Sequence, residues 1–121
     1  MNDTLQNSAI QDGDAHKFIN SFNQISEVAY DISEKHGFWE TPDDYQKICL
    51  MFTELSEIVE AFRIGNPPSK KIPEYSLVEE EMADAIIRIM DFAGRKKIDL
   101  GGAIMAKMKY NQSRPYKYKK F

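Results

Sequence analysis

Four carboxylates in two pairs, Glu54 with Glu57 and Glu81 with Asp84, are the residues of this sequence best suited to chemistry. Residues three apart on a helix stand about 60° apart in projection and one turn apart along the axis, so each pair presents two carboxylates side by side as a bidentate clamp. The same spacing decorates many solvated helix faces, so the neighbours decide its meaning. Around the first pair, Ile48, Met51, Phe52, Leu55, Ile58, Val59 and Phe62 form the main apolar stripe. Leu50, Glu54, Glu57 and Ala61 follow the i, i+4, i+7, i+11 progression of a second packed seam. Around the second pair, Val78, Met82, Ala83, Ala85, Ile86, Ile87, Ile89, Met90, Phe92 and Ala93 cover more than half the circumference, which predicts a central, largely buried helix. Leu77, Glu81, Asp84, Arg88 and Asp91 share one narrow strip of it. If the two helices face each other there, four carboxylates converge without an equal number of cations, and such a cluster repels itself unless a cation joins it. Arg88, four residues after Asp84, allows the other arrangement, an intrahelical ion pair on a solvated face.

The donor set selects the cation. All four groups offer hard oxygen, and neither His16 nor His36 stands in the Glu-x-x-His spacing of di-iron carboxylate bundles. Magnesium fits best, with manganese as its substitute and calcium behind both. Magnesium shares its shell with substrate phosphates, which points to nucleotide or phosphoester chemistry. A carboxylate not fully engaged by the ion can accept a proton from the attacking water; Glu54 is the first choice and Glu57 stands beside it. Lys107, Asn111 and Arg114 recur at spacings of four and three, so one helical face carries two positive charges and an amide suited to phosphate oxygens.

The elements that must hold these residues read as helices throughout. Residues 1–11 are polar and aperiodic and form an extension, expected to be flexible, ahead of a helix starting near Asp12 or Asp14. Phe18, Ile19, Phe22, Ile25, Val28, Ala29 and Ile32 give that helix one apolar stripe, and Gly37 ends it. Pro42, Asp43 and Asp44 open a second helix that runs to about Arg63, where Gly65, Asn66, Pro67 and Pro68 break it. Ser76 with Glu79 forms a capping box at the start of the third helix, which Gly94 should end. Asp99 caps a fourth helix through about Tyr110, and Pro115 forbids its continuation. Cys49, inside the run Ile48 to Phe52, reads as a core residue. The expected fold is all-α: a four-helix, antiparallel, bundle-like domain over 12–121 with a basic C-terminal tail.

In three stretches this sequence resembles the MazG-like all-α nucleotide pyrophosphohydrolases: TELSEIVEAFRIGN, EEEMADAIIRIMDFAGRKKIDL and KMKYNQSRPYKYKK. The family motif is Glu-x-x-Glu, a gap, then Glu-x-x-Asp, and here Glu54-Leu-Ser-Glu57 precedes Glu81-Met-Ala-Asp84 by twenty-three residues. The similarity spans about residues 25–120. It implies that Glu54, Glu57, Glu81 and Asp84 all bind metal, that homo-oligomerisation completes the bundle, and that a nucleoside triphosphate is cleaved between its α and β phosphates. It also implies that Lys107, Asn111 and Arg114 contact substrate phosphates. Trp39 matches an aromatic position that stacks on the nucleobase in some relatives, and Tyr30, on the first helix, is a second candidate wall.

Composition narrows the alternatives. Sixteen Lys and Arg against nineteen Asp and Glu give a net charge of -3. Nucleic acid is therefore not an expected partner, even though Tyr116, Tyr118 and Phe121 alternate with Lys117, Lys119 and Lys120. The opening has no basic-then-apolar leader and no apolar run approaches a membrane span, so a cytoplasmic location without membrane contact is expected. Two separate apolar seams exceed what one small bundle can hide, which predicts a homodimer or homotetramer. The competing expectation is a non-catalytic helical module for nucleotide binding or protein interaction. A nuclease or phosphodiesterase using the same ions is disfavoured by the negative charge.

Overall fold

The computed structural model describes residues 9–115. Most of the proposed N-terminal extension, residues 1–8, and the tail with Lys117, Lys119 and Lys120 lie outside the described residues. Four helices follow in order: α1 Asp12–Lys35, α2 Asp44–Arg63, α3 Leu77–Lys96 and α4 Leu100–Gln112. No strand occurs among the described residues, and the single isolated bridge joins Pro68 to Ser76.

Local chemistry sets the helix starts. The Asp43 side chain accepts from Gln46 N at α2. At α3 the Ser76 hydroxyl accepts from Glu79 N while Glu79 accepts from Ser76 N at 2.9 Å, the reciprocal box that satisfies two otherwise orphan donors. Asp99 caps α4 through Gly102 N. No helix among the described residues is long and apolar enough to cross a membrane.

The third helix does not stop at Gly94. It continues to Lys96, and Lys97 takes the left-handed cap conformation at φ 58°. Gly94 is instead buried where the α3 backbone meets that of α1: a β-carbon there would collide with the Ser26 carbonyl. The glycine answers to helix contact rather than to helix termination.

Of the described residues, 25–98 form one compact unit, while 9–24 with 99–115 form another; α1 runs through both. In the second of these, Asn23 donates to Asp99 and accepts from Gly101 N, tying the α4 cap to α1, and Gly101 lies against the Ile19 backbone. Phe18 and Phe22 stack at 5.3 Å.

In the larger unit α2 and α3 pack antiparallel. The start of α2 meets the end of α3 through Asp44 and Lys96 at 2.6 Å, and Asn66, just beyond α2, accepts from Val78 N near the start of α3. The later half of α1 lies on α3 through Ser26 against Gly94 and Ser33 against Asp91. The expected burial of α3 is inverted in part. Glu80, Glu81 and Asp91 are buried, whereas Met82, Ile86, Ile87 and Ile89 are exposed. The main stripe of α2 also faces outward, with Phe52 at 67% and Phe62 at 62% exposure. Cys49 is exposed too, correcting its assignment to the core. An apolar run on a helix wraps around it, so membership of the run does not fix the direction of one residue.

Candidate functional site

The packed seam between α2 and α3 is acidic. Ala61 is buried on it, Glu54 is half-buried beside it, and α3 answers with Glu81 at 8% exposure and half-buried Asp84. Oxygens of Glu54, Glu81 and Asp84 lie within 4.8 Å of one another. Glu57 is more exposed and stays outside that group of three, but it lines the same cavity and its charge reaches Glu81. The sequence-predicted carboxylates thus share one cavity, with three drawn into a tight cluster.

Electrostatics mark this cluster as short of positive charge. Burial pushes the Glu81 carboxyl above its ordinary range, and Glu57, Asp84, Glu80 and Glu54 add to the rise. Burial also raises Asp84, with Glu54 and Glu80 adding and Lys71 and Arg88 opposing. Arg88 does not take the intrahelical pairing its spacing with Asp84 allowed. Its Nε reaches across to Glu54 Oε1 at 3.3 Å, and its guanidinium lies 4.5 Å from the Phe38 ring centre. One guanidinium against three clustered carboxylates leaves net negative charge, which suits a divalent cation. The donors are carboxylate oxygens from two facing helices, a hard-oxygen set that could hold a metal ion.

The cavity around the cluster has a volume of about 680 Å³, within the roughly 300–1,000 Å³ range of small-molecule sites. Glu54, Glu57, Glu81, Asp84 and Arg88 give it a charged wall, and Ile25, Val28, Ala29 and Ile32 of α1 give it an apolar one. His36 stands at its edge with Nδ1 2.8 Å from the Ile32 carbonyl.

Several of its residues escaped sequence reasoning. Glu80 is buried and accepts from the buried hydroxyl of Ser69. Lys71 projects into the lining from the loop between α2 and α3, 4.0 Å from Glu80. Asp91, at 3% exposure, accepts from Ser33 Oγ at 2.7 Å and from the Trp39 indole at 2.9 Å. Asp91 lay on the α3 strip and Glu80 beside it in sequence, whereas Lys71, in the loop before α3, carried no sequence signal.

The aromatic expectations change. Trp39 is 5% exposed and is not among the residues lining the cavity. Its ring has Arg95 at 4.5 Å and Phe38 edge-on at 5.5 Å, while its indole N–H is committed to Asp91. A base could stack on Trp39 only after these neighbours moved. Tyr30 also lies outside the cavity lining; it packs edge-on to Trp39 and accepts from Arg95 Nη1 at 3.3 Å. The apolar wall is built by α1 aliphatic side chains instead. Buried Lys47 holds the loop between α1 and α2 by donating to the Phe38 carbonyl at 2.6 Å.

Lys107, Asn111 and Arg114 are exposed residues at the α4 end of the other unit. The Lys107 ammonium lies 4.7 Å from the Tyr110 ring centre, and Arg114 N donates to the Asn111 carbonyl at 3.2 Å. The cavity described above is lined by residues of the larger unit alone. No family model, curated protein or solved structure matches this chain at significance.

Proposed function

We propose that the chain is a magnesium-dependent nucleoside triphosphate pyrophosphohydrolase, releasing a nucleoside monophosphate and pyrophosphate. The observation that carries this reading is the tight set of Glu54, Glu81 and Asp84 oxygens, two of whose carboxyls are held above their ordinary range, inside a nucleotide-sized cavity. Glu54, Glu81 and Asp84, with Glu57 at their edge, would hold magnesium or, in its place, manganese. When bound, such an ion neutralises phosphate charge and makes a nearby water easier to deprotonate.

The chain's residues then divide the work. With an ion on the seam offsetting its repulsion of phosphate, the α-phosphate would lie beside the attacking water, whose oxygen bonds to the α-phosphorus as the bond to the α–β bridging oxygen breaks. The electron pair leaves with pyrophosphate. The proton passes to a carboxylate of the α2 pair. Glu54 is engaged by Arg88 and by its two acidic neighbours, whereas Glu57 lies outside the cluster, which favours Glu57 over the first choice, Glu54, as the acceptor in this proposal. Ile25, Val28 and Ile32 supply apolar surface for the base. Lys107, Asn111 and Arg114 remain the proposed α4 contacts to phosphate, a role supported by their spacing and by the family resemblance.

The outward apolar stripes support association of this enzyme into a homodimer or homotetramer. Among the described residues the buried apolar set is only Trp39, Ala61, Val78, Ala85, Met90 and Ala93, while the larger aliphatic and aromatic residues of α2 and α3 are mostly outside. The decisive assay offers a panel of ribo- and deoxyribonucleoside triphosphates with magnesium and separates pyrophosphate from orthophosphate. Pyrophosphate release supports the proposal; tight binding without turnover favours a nucleotide-binding module instead.

A further inference from the structure

The loop between α2 and α3 is anchored more firmly than its exposure requires. Residues 70–75 are all exposed, yet Ser69 beside them is 2% exposed and organises the turn. Its hydroxyl donates to buried Glu80 and accepts from the backbone N–H of Lys71 and Ile72 at 3.1 and 3.0 Å. Ser69 N donates to the Tyr75 carbonyl, and Leu77 N donates to that of Pro67. A buried carboxylate is costly unless its acceptors are satisfied, and here Glu80 is used to fix the backbone that presents Lys71 to the cavity.

Lys71 itself is loosely committed. Its side chain is 82% exposed, and its ammonium stands 4.0 Å from Glu80, the outer limit of an ion pair and a weak one in water. Arg88, the other cation in the cavity lining, is already engaged by Glu54 and the Phe38 ring. A triphosphate entering an acidic cavity needs positive charge beyond the ion on the carboxylates, and Lys71 combines a fixed backbone with a free-swinging ammonium.

We propose that Lys71 is a substrate-contacting residue that leaves Glu80 to hold the polyphosphate arm of the substrate. This rests on the pyrophosphohydrolase reading and extends it to the loop. Calorimetric titration of the full chain with Mn2+ alone, then with inorganic triphosphate in excess Mn2+, tests it. Lys71→Ala should weaken triphosphate binding about tenfold, while Mn2+ binds equally or more tightly because a neighbouring positive charge is gone. Lys71→Arg should restore most of the triphosphate affinity. Equal triphosphate binding by wild type and Lys71→Ala overturns the assignment while leaving the parent reading intact. Parallel loss of Mn2+ and triphosphate binding also overturns it, by showing a structural role. Failure of the wild-type chain to bind triphosphate at all overturns the parent reading and this assignment with it.

Discussion

The two long faces of α2 are built to opposite rules. Toward α3 it presents Glu54 and Ala61 to a seam shared with buried Glu81; away from it, Phe52, Leu55, Val59 and Phe62 stand exposed. α3 repeats the contrast, with Glu80, Glu81 and Asp91 buried and Met82, Ile86 and Ile89 exposed. A helix folding for its own stability would place these groups the other way round. Buried acids that repel one another have a use in holding a cation, and an apolar stripe of this length has a use in meeting another apolar surface. On the proposed reading, the contrast separates residues kept for chemistry from residues kept for assembly, and each side can be broken without the other.

The largest effect is expected from the acidic face. Asp84→Ala or Glu57→Ala should lower pyrophosphate release by at least about 100-fold while circular dichroism remains helical. Magnesium should raise the melting temperature of the wild type and raise that of either variant much less. Collapse of the fold would instead mark these carboxylates as structural partners.

On the outer face, Phe52→Glu with Val59→Glu should convert an associated species to one sedimenting near 14.0 kDa, the mass of one chain. A wild type that already sediments as a folded monomer at micromolar concentration would remove assembly as the reason for the exposed stripe.

Helix chemistry was legible where it was local. Asp43, Ser76 and Asp99 act within one turn of themselves, and the capping function of each was readable from its neighbours. The acidic seam was legible because helical spacing carries the direction of Glu54, Glu81 and Asp84. Contacts between distant segments were not. Gly94 has the composition of a stop signal but meets the Ser26 carbonyl 68 positions earlier in sequence, and Arg88 chose Glu54 over its near neighbour Asp84. The stacking role of Trp39 came from the family resemblance, and nothing in sequence announces Asp91 as its hydrogen-bond partner 52 residues away. Lys71 and Glu80 became meaningful only through the buried Ser69 between them.

Gly94→Ala sharpens the first of these points. Its methyl group would press on the α1 backbone rather than on a flexible side chain, so a loss of about 1–3 kcal/mol is expected, read as a lower midpoint in urea. An unchanged midpoint would show that the helices part without cost.

A smaller effect should appear with pH in the metal-free protein. Folding raises the Glu81 and Asp84 carboxyls above their ordinary 4.5 and 3.8, so it favours their protonated forms. Their contribution is fullest below those ordinary values, falls as pH rises through the raised ones, and is level above them. Melting in chelator from about pH 4 to about pH 7 should therefore show a decline that is shallower in Glu81→Gln. Equal slopes in the two proteins would count against repulsion within the cluster.

The bond that breaks is the most direct test of the central claim. Hydrolysis of a nucleoside triphosphate in oxygen-18 water, followed by mass spectrometry of the products, reports which phosphorus the water attacked. Attack at the α-phosphorus beside the acidic seam places the label in the nucleoside monophosphate and leaves unlabelled pyrophosphate. Labelled orthophosphate with a nucleoside diphosphate remaining, from protein free of contaminating phosphatase, would contradict the mechanism even with every carboxylate bound to metal.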